Sequence, residues 1–190
     1  MQTTLKNITT FKYGPHLRTQ GEGEVKYLHS KHFDELSEPT LFANSFVESS
    51  ARSEKFLLKK NDVIITGKGL RIFAWAYDED FGKAVPSSLF FILRPNPNKV
   101  LGKYLALLLN SEKINYQIRQ AGAGASILSI PKKELGEIKV DIPSLDKQHE
   151  VVYMVKTFNF DIMLTQELLQ KKKLLRREVL NQILSNSKAE

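Results

Sequence analysis

The sequence contains no cysteine among its 190 residues. This absence excludes disulfides, thiolate zinc sites and cysteine nucleophiles together. The sequence also has no run of 18 apolar residues and no charged-then-apolar leader at its N-terminus, so it predicts neither a membrane span nor a signal peptide. Together these absences predict a cytoplasmic protein without a membrane partner.

Positive charge is plentiful. The chain has 28 Lys and Arg against 21 Asp and Glu, a net charge of +7 at pH 7, and its isoelectric point is near 9.5. This balance favours a polyanionic partner such as nucleic acid, although many basic proteins bind none. A cluster of five cations at 171–177 could touch phosphate, and a solvated helix face explains it equally well.

The sequence up to about residue 146 predicts an α+β body. Strand signals, which are runs of β-branched and aromatic residues, occur at 25–29, 63–66, 72–77, 88–93 and 138–143. Apolar spacing predicts one or two amphipathic helices within 101–119 and a helical turn at 132–135. Similar spacing predicts a short helix over 5–11.

A helical pattern then continues without a break as far as Ile183. Such a helix is roughly 55 Å long and cannot bury its apolar stripe in so small a domain, so a second helix is expected alongside it. Heptad spacing defines a seam of apolar residues, the predicted dimer interface: Val151, Val155, Phe158, Ile162, Leu169, Val179 and Ile183. Polar residues Thr165, Lys172 and Arg176 interrupt this seam and would fix register or partner. The alternative is a C-terminal helix packed against its own body.

Two familiar catalytic motifs fail on inspection. The loop at 66–69 reads Thr-Gly-Lys-Gly, and it lacks both the upstream Gly and the Ser or Thr after Lys that a phosphate-binding P-loop requires. The pair His149-Glu150 lacks the second His of the zinc-protease pattern, because Tyr153 stands in its place. Neither motif therefore predicts an enzyme.

Two weaker signals have ordinary explanations. Glu-x-Lys triplets at 24–26 and 137–139 match half of many nuclease sites, but such triplets arise by chance when 26% of residues are charged. For His29 and His32, a surface loop or packing at a strand end is favoured over a metal site. We expect no catalytic residue, no metal and no cofactor.

Five blocks of sequence follow one another along nearly the whole chain. They are a strand and turn at 59–69, a strand at 86–93, Tyr104-Leu105 in a helix, a glycine loop at 122–126 before Ile130-Pro131, and 142–148 leading into the long helix. The order and spacing of the blocks carry more weight than any one of them. In the order of these blocks and in their spacing, the chain resembles the DNA-specificity (S) subunit of Type I restriction-modification systems.

The resemblance implies a division of the chain into two parts. Residues 1–146 would form a target-recognition domain with a twisted, mainly antiparallel sheet and flanking helices, and 147–190 a helical dimerisation and spacer arm. Members of the family normally carry two such domains in one chain, each followed by a long helix, and the two helices pair antiparallel. This chain has one unit and no internal repeat, so it resembles a half-size subunit that forms a homodimer.

The resemblance also implies recognition without chemistry. Such subunits bind double-stranded DNA, dock adenine-methyltransferase (M) subunits that carry S-adenosylmethionine, and often bind a restriction (R) subunit. A two-fold dimer would read a palindromic, bipartite site. The chain has no motif for holding a target adenine and no glycine-rich cofactor loop, as expected of a non-catalytic subunit.

Residues that read DNA are expected in the loops that follow the strands, where donors and acceptors can reach groove edges. The candidates in and near these loops are His16, Arg18, Gln20, Lys68, Arg71, Lys83, Gln120 and Ser126. Two other interpretations stay open: a free-standing nuclease or other enzyme, and a coiled-coil assembly protein that does not bind DNA. The start at Met1 and the polar tail at 185–190 favour a complete chain over a truncated one.

Overall fold

The computed structural model describes residues 2–40, 44–122 and 128–186. The strands in these residues are β1 (Gln2–Thr4), β2 (Thr9–Tyr13), β3 (Val25–Leu28), β4 (Phe46–Val47), β5 (Val63–Thr66), β6 (Lys68–Gly69), β7 (Ala74–Ala76), β8 (Ala84–Pro86), β9 (Phe90–Pro95), β10 (Leu128–Ser129) and β11 (Lys139–Asp141). The helices are α1 (Ala51–Glu54), α2 (Gly102–Asn110), α3 (Glu112–Ala121), α4 (Lys132–Glu137) and α5 (Leu145–Asn186).

The contacts divide the chain into two units, Met1–His149 and Glu150–Glu190. The functional boundary predicted between residues 146 and 147 stays a prediction, since α5 runs through both positions without a break. The predicted long C-terminal helix is confirmed. No helix in the described residues is long and apolar enough to cross a membrane.

The predicted α+β class with mainly antiparallel pairing is confirmed. The largest sheet has the order β2-β9-β5-β7, and all of its neighbours are antiparallel. A second sheet has the order β4-β3-β8, in which β3 and β8 are parallel. Two antiparallel pairs, β1 with β11 and β6 with β10, complete the strands of the described residues.

Both faces of the four-stranded sheet are covered, which explains why β5 is a continuous apolar run rather than an alternating one. Val63 and Ile65 belong to a core shared with the helices, while Ile64 belongs to the opposite face. The helix-side core includes Leu5, Leu93, Leu105, Leu109, Ile114 and Ile118. The other side is rich in aromatic rings, among them Phe33, Phe73, Trp75 and Phe90. The sheet is therefore the rigid centre from which the loops emerge.

The short helix predicted over 5–11 is wrong. One turn of 3₁₀ helix covers Leu5–Asn7, and the chain then enters strand β2. Phe11 pairs opposite Leu93 of β9, and two β-branched threonines precede Phe11 in the strand. Pairing with a strand more than 80 residues away in the sequence outweighs the local apolar spacing.

The first turn of α5 is fastened to the body by one amide side chain. Gln148 is fully buried, and its Oε1 accepts a hydrogen bond from the backbone N–H of Leu101 at 2.9 Å. Its Nε2 donates to the carbonyls of Lys99, at 2.9 Å, and Pro143, at 3.0 Å. One side chain therefore satisfies three backbone groups from two segments.

A second amide holds the same segment from the other direction. Asn61, with a positive φ of 72°, donates from Nδ2 to the carbonyl of Val100 at 3.2 Å and accepts at Oδ1 from the N–H of Gly102. The adjacent Asp62 is fully buried and accepts two hydrogen bonds of 2.7 Å from the guanidinium of Arg94. The segment 99–102 is thus anchored to the beginning of β5 as well as to α5.

Candidate nucleic-acid interface

One edge of the four-stranded sheet collects several loops. Because the pairs are antiparallel, β2 and β5 end at the edge where β7 and β9 begin. The segments 14–24, 67–73 and 87–89 therefore all start or finish there. We call this place the loop edge. Binding residues are commonly carried on loops that a rigid scaffold positions.

Gly67 holds the loop edge together through close backbone contacts. Its N–H donates to the carbonyl of Leu89 at 2.7 Å, and its own carbonyl accepts from the N–H of Ile130 at 2.9 Å. A Cβ at this position would lie 2.5 Å from Cε2 of Phe91. Glycine is required here because the Phe91 ring lies directly against the backbone.

A cavity of about 400 Å³ opens at the loop edge. Its lining combines apolar, aromatic and polar side chains: Tyr13, Gly67, Lys68, Ser88, Leu89, Phe90, Phe91, Ser129, Ile130 and Pro131. The Tyr13 ring contacts the Phe91 ring at a centroid distance of 4.6 Å and a tilt of 41°, and Tyr13 is 53% exposed. An exposed aromatic face with hydroxyls and one lysine is a combination suited to nucleic acid, which offers both bases and phosphates.

Lys68 and Arg71 were both predicted to read DNA, and both lie in the loop that leaves β5. Lys68 is exposed, and its backbone is held by pairing of β6 with β10. The next residue, Gly69, has a φ of 137° in open space, a conformation that side chains rarely adopt. Lys68 therefore presents its amine from a fixed turn.

The guanidinium of Arg71 is used inside the body. It donates to the carbonyls of Phe33 and Glu35, at 3.3 and 3.2 Å, and to the hydroxyl of Ser37 at 3.1 Å. It also stacks over the ring of Phe73 at 4.6 Å. These contacts tie the loop that leaves β5 to the turn at 34–38. That Arg71 reads a base stays a prediction, and its contacts point first to a supporting role.

The three predicted residues of the first loop, His16, Arg18 and Gln20, are exposed. This loop leaves the loop edge at the end of β2 and reaches β4, where the backbone of Gln20 exchanges two hydrogen bonds with Phe46. The carbonyl of His16 accepts a long bond of 3.4 Å from Arg52. The loop is thus fixed at its far end, and its exposed side chains stay candidates.

Among the described residues, no hydrogen bond or ion pair joins Lys83 or Gln120 to the ends of β2 and β5, where the loop edge lies. Lys83 lies at the end of β8 away from segment 87–89, with its amine 3.8 Å from the carboxylate of Glu24. Gln120 is exposed in the last turn of α3. Ser126 lies outside the described residues. Their roles in DNA reading stay predictions.

Sequence reasoning missed the apolar part of the loop edge. Tyr13, Leu70 and Leu89 are exposed there, yet they were not named because a search for base readers looks for donors and acceptors. One signal was present: Tyr13 ends a strand immediately before Gly-Pro, and Leu70 lies next to a glycine. Large apolar residues in turns are unusual enough to mark such positions.

The His29 and His32 pair is packed at the end of β3, which is one of the two ordinary arrangements expected for it. Nδ1 of buried His32 accepts from the backbone N–H of His29 at 3.2 Å, and the rings meet edge to face at 5.4 Å. Burial, with help from His29 and Lys31, lowers the pKa of His32 to about 4. No group of three or more possible metal ligands occurs among the described residues.

The second unit offers a different surface. Side chains of α5 from 160 to 185 are all exposed, and in the predicted seam Val151 and Val155 are half-buried while Phe158 is 61% exposed. At 100° per residue, a second set of exposed apolar residues lies on the side opposite the seam: Tyr153, Phe160, Met163, Leu164 and Leu174. The helix therefore has two apolar faces, where the sequence analysis described one.

Comparison with known proteins gives a family and a fold. The family model described as Type I restriction modification DNA specificity domain matches residues 4–173. A search of the curated proteins found no match. The family match covers both the loop edge and most of α5.

Solved structures agree with the family. The chain is similar to the S subunit of a Type I restriction-modification system from M. genitalium, with a TM-score of 0.64 and 17% identity over 94% of this chain and 44% of that one. It is also similar to the HsdS subunit from Thermoanaerobacter tengcongensis, with a TM-score of 0.58 and 15% identity over 88% and 44% of the two chains. A third similar structure, from work on complex assembly and conformational transition of the type I R-M system, has a TM-score of 0.57 and 14% identity over 86% and 39%. The chain spans less than half the length of each of these proteins.

Proposed function

Because the chain belongs to the family of Type I restriction-modification DNA specificity domains, we propose that it is a non-catalytic, cytoplasmic, half-size specificity subunit that recognises a DNA sequence as a homodimer. One observation carries this proposal: the fold match covers 94% of this chain but only 44% of the M. genitalium subunit. Two copies supply about the length of one such subunit. Closed two-fold dimers are also the commonest form of homo-oligomer.

The seam of α5 is the proposed contact between the two copies. Phe158 and Ile162 are exposed large apolar side chains, and covering such surface stabilises an assembly by roughly 25 cal/mol per Å². Helical geometry places Lys172, Lys173 and Arg176 on the same side of the helix. A parallel pair would set these cations against their own copies, which is unfavourable. An antiparallel pair avoids this repulsion when the two-fold axis that relates the two helices crosses α5 away from Lys172, Lys173 and Arg176.

The opposite face of α5 is the proposed docking surface for the M subunit. Tyr153, which is 74% exposed, and Phe160 and Leu164 would remain uncovered after the seam is buried. An apolar face of this kind fits a helix of a partner protein. An R subunit, where the system has one, would join through the same complex.

The loop edge is the proposed DNA contact. Lys68 would meet phosphate, while the exposed side chains of the first loop would reach base edges. Two copies related by a two-fold axis would read two inverted half-sites separated by an unread spacer. Binding is therefore expected to weaken steeply as salt rises.

Methylome sequencing tests the proposal directly. Cells that express the chain with its cognate M subunit should methylate adenine in a palindromic, bipartite motif, and deletion of the chain should remove that motif. A methylation pattern that deletion leaves unchanged would refute the proposed function. A dimer that shows no response to duplex DNA would favour a coiled-coil assembly protein instead.

Substitutions on the two faces of α5 separate the two contacts. Phe158→Asp with Ile162→Asp should convert the dimer to a monomer in light scattering, because it charges the seam. Phe160→Asp with Leu164→Asp is the matched control on the opposite face and should leave the dimer intact while weakening M-subunit binding. Equal loss of dimer in both variants would contradict the assignment of the faces.

A further inference from the structure

The loop edge concentrates the exposed apolar side chains of the first unit. Five large apolar residues are exposed among the described residues up to His149, namely Tyr13, Leu36, Leu70, Leu89 and Tyr116. Three of them lie in the loop-edge segments or at the end of β2. Leu36 belongs to the turn at 34–38, which Arg71 binds. Scattered exposed leucines are ordinary, whereas their concentration at one edge marks a binding surface.

Leu70 is the most exposed large apolar side chain of this group, at 87%. Its removal from water would contribute favourably by nearly the full transfer free energy of a leucine side chain. In the free protein Leu70 stays in contact with water, so this stabilisation is not obtained. A residue that leaves so much apolar surface in water at a binding edge is poised to bury it against a partner.

The backbone on both sides of Leu70 is held firmly. On the preceding side, Lys68 and Gly69 pair with β10. On the following side, the guanidinium of Arg71 donates three hydrogen bonds. The backbone carbonyl of Arg71 accepts a further hydrogen bond from the Thr66 hydroxyl at 3.0 Å. The backbone that carries Leu70 therefore loses little conformational entropy when the side chain binds.

From this geometry we infer that Leu70 enters the DNA duplex as an apolar wedge between two stacked base pairs, with Lys68 on the flanking phosphate. The inference rests on the proposed function and adds to it the residue that deforms the DNA. Inserted leucines partly unstack a base step and kink the duplex. The kink makes recognition depend on how easily the step deforms, so a flexible pyrimidine-purine step is the expected target.

The experiment uses the whole chain, with its M subunit if binding requires it, and a duplex that carries the motif found by methylome sequencing. 2-Aminopurine placed at successive positions reports unstacking by its fluorescence, and dyes at the two duplex ends report bending. The unaltered protein should brighten 2-aminopurine at one step in each half-site and bend the duplex. Leu70→Ala should abolish both signals and weaken cognate binding by roughly tenfold or more.

Two variants serve as controls. Leu70→Met keeps an apolar side chain of similar length and should retain unstacking and most of the affinity. Tyr116→Ala removes another exposed apolar side chain, on α3, and should change neither signal. Because Leu70 is exposed, Leu70→Ala should unfold at the same urea concentration as the parent, so a loss of binding would not reflect misfolding.

Three results would overturn the inference while leaving DNA recognition intact. The first is specific binding without unstacking at any position, and the second is unchanged affinity of Leu70→Ala. The third is an affinity loss reproduced by replacing one thymine with deoxyuridine, which would show a contact with the thymine methyl group instead. Absence of DNA binding by the unaltered complex would refute the proposed function and the wedge together.

Discussion

Replacing Gln148 by alanine is expected to destabilise the first unit far more than an ordinary helix substitution. The change removes an acceptor from the N–H of Leu101 and a donor from two carbonyls, those of Lys99 and Pro143. Each buried backbone group left without a partner costs about 1–3 kcal/mol. Because a carbonyl keeps a second lone pair for other bonds, we expect a total loss of about 3–5 kcal/mol in the free energy of unfolding.

Urea unfolding measured by tryptophan fluorescence is a suitable assay, because the single tryptophan, Trp75, is buried in the first unit. Hydrogen exchange adds a local probe: the amide of Leu101 should exchange faster in Gln148→Ala. The matched control is Gln170→Ala, which alters an exposed glutamine of the same helix and should change stability by less than about 0.5 kcal/mol.

Gln148→Glu keeps the side-chain acceptor for Leu101 and removes the donor to Lys99 and Pro143, so it tests the two roles of Gln148 separately. A carboxylate can still accept from Leu101 but confronts the carbonyls of Lys99 and Pro143 with another oxygen. Burial disfavours its charge and raises its pKa, so the variant should recover stability as pH falls, because the protonated acid can donate to one carbonyl. If Gln148→Ala were no less stable than Gln170→Ala and the amide of Leu101 stayed protected, Gln148 would not fasten α5 to the body.

Three further predictions concern the body. His32, whose pKa is lowered to about 4, should contribute its full stability above pH 6.5 and lose roughly 3 kcal/mol as pH falls towards 4, measured as the urea midpoint against pH. Arg94→Met should reduce stability by about 3 kcal/mol at neutral pH, because it leaves the buried carboxylate of Asp62 without its cation; thermal unfolding measures the loss. Gly67→Ala should cost about 1–3 kcal/mol by forcing its new Cβ against the ring of Phe91, and Phe91→Leu in the same chain should restore part of it.

A different result would contradict each of these three predictions. His32→Asn keeps a side-chain acceptor and removes the titration, so an equally steep acid loss in that variant would assign the effect to other groups. An Arg94→Met loss that disappears in high salt would show a screened surface pair rather than a buried carboxylate. Strictly additive effects of Gly67→Ala and Phe91→Leu would show that the two positions do not clash.

Some features of the fold could be predicted because they depend on neighbours in the sequence. The long helix and the strand at 63–66 follow from apolar spacing and β-branched content. The helix expected over 5–11 failed for the opposite reason: Phe11 lies in a strand whose partner, Leu93, comes from a distant segment. Local spacing cannot report such pairing.

The same division applies to the candidate site. Lys68 could be proposed from the sequence because a lysine between two glycines after a strand marks an exposed turn. The internal contacts of Arg71 could not be predicted, since their acceptors, Phe33 and Glu35 among them, lie more than 30 residues earlier in the sequence. Arg71 was expected to read DNA because a guanidinium can donate hydrogen bonds to bases. In the folded chain the guanidinium donates to carbonyls of the body instead.

The α+β class, the long α5 with its heptad pattern and the resemblance to a DNA-specificity subunit could all be read from the sequence, because they depend on local periodicity and on the order of motifs. The three-dimensional fold was needed to show which loops share an edge, that Leu70 is exposed there and that Gln148 is buried. These are consequences of which strands pair and which faces pack. Contacts between distant segments set them, and no local pattern records those contacts.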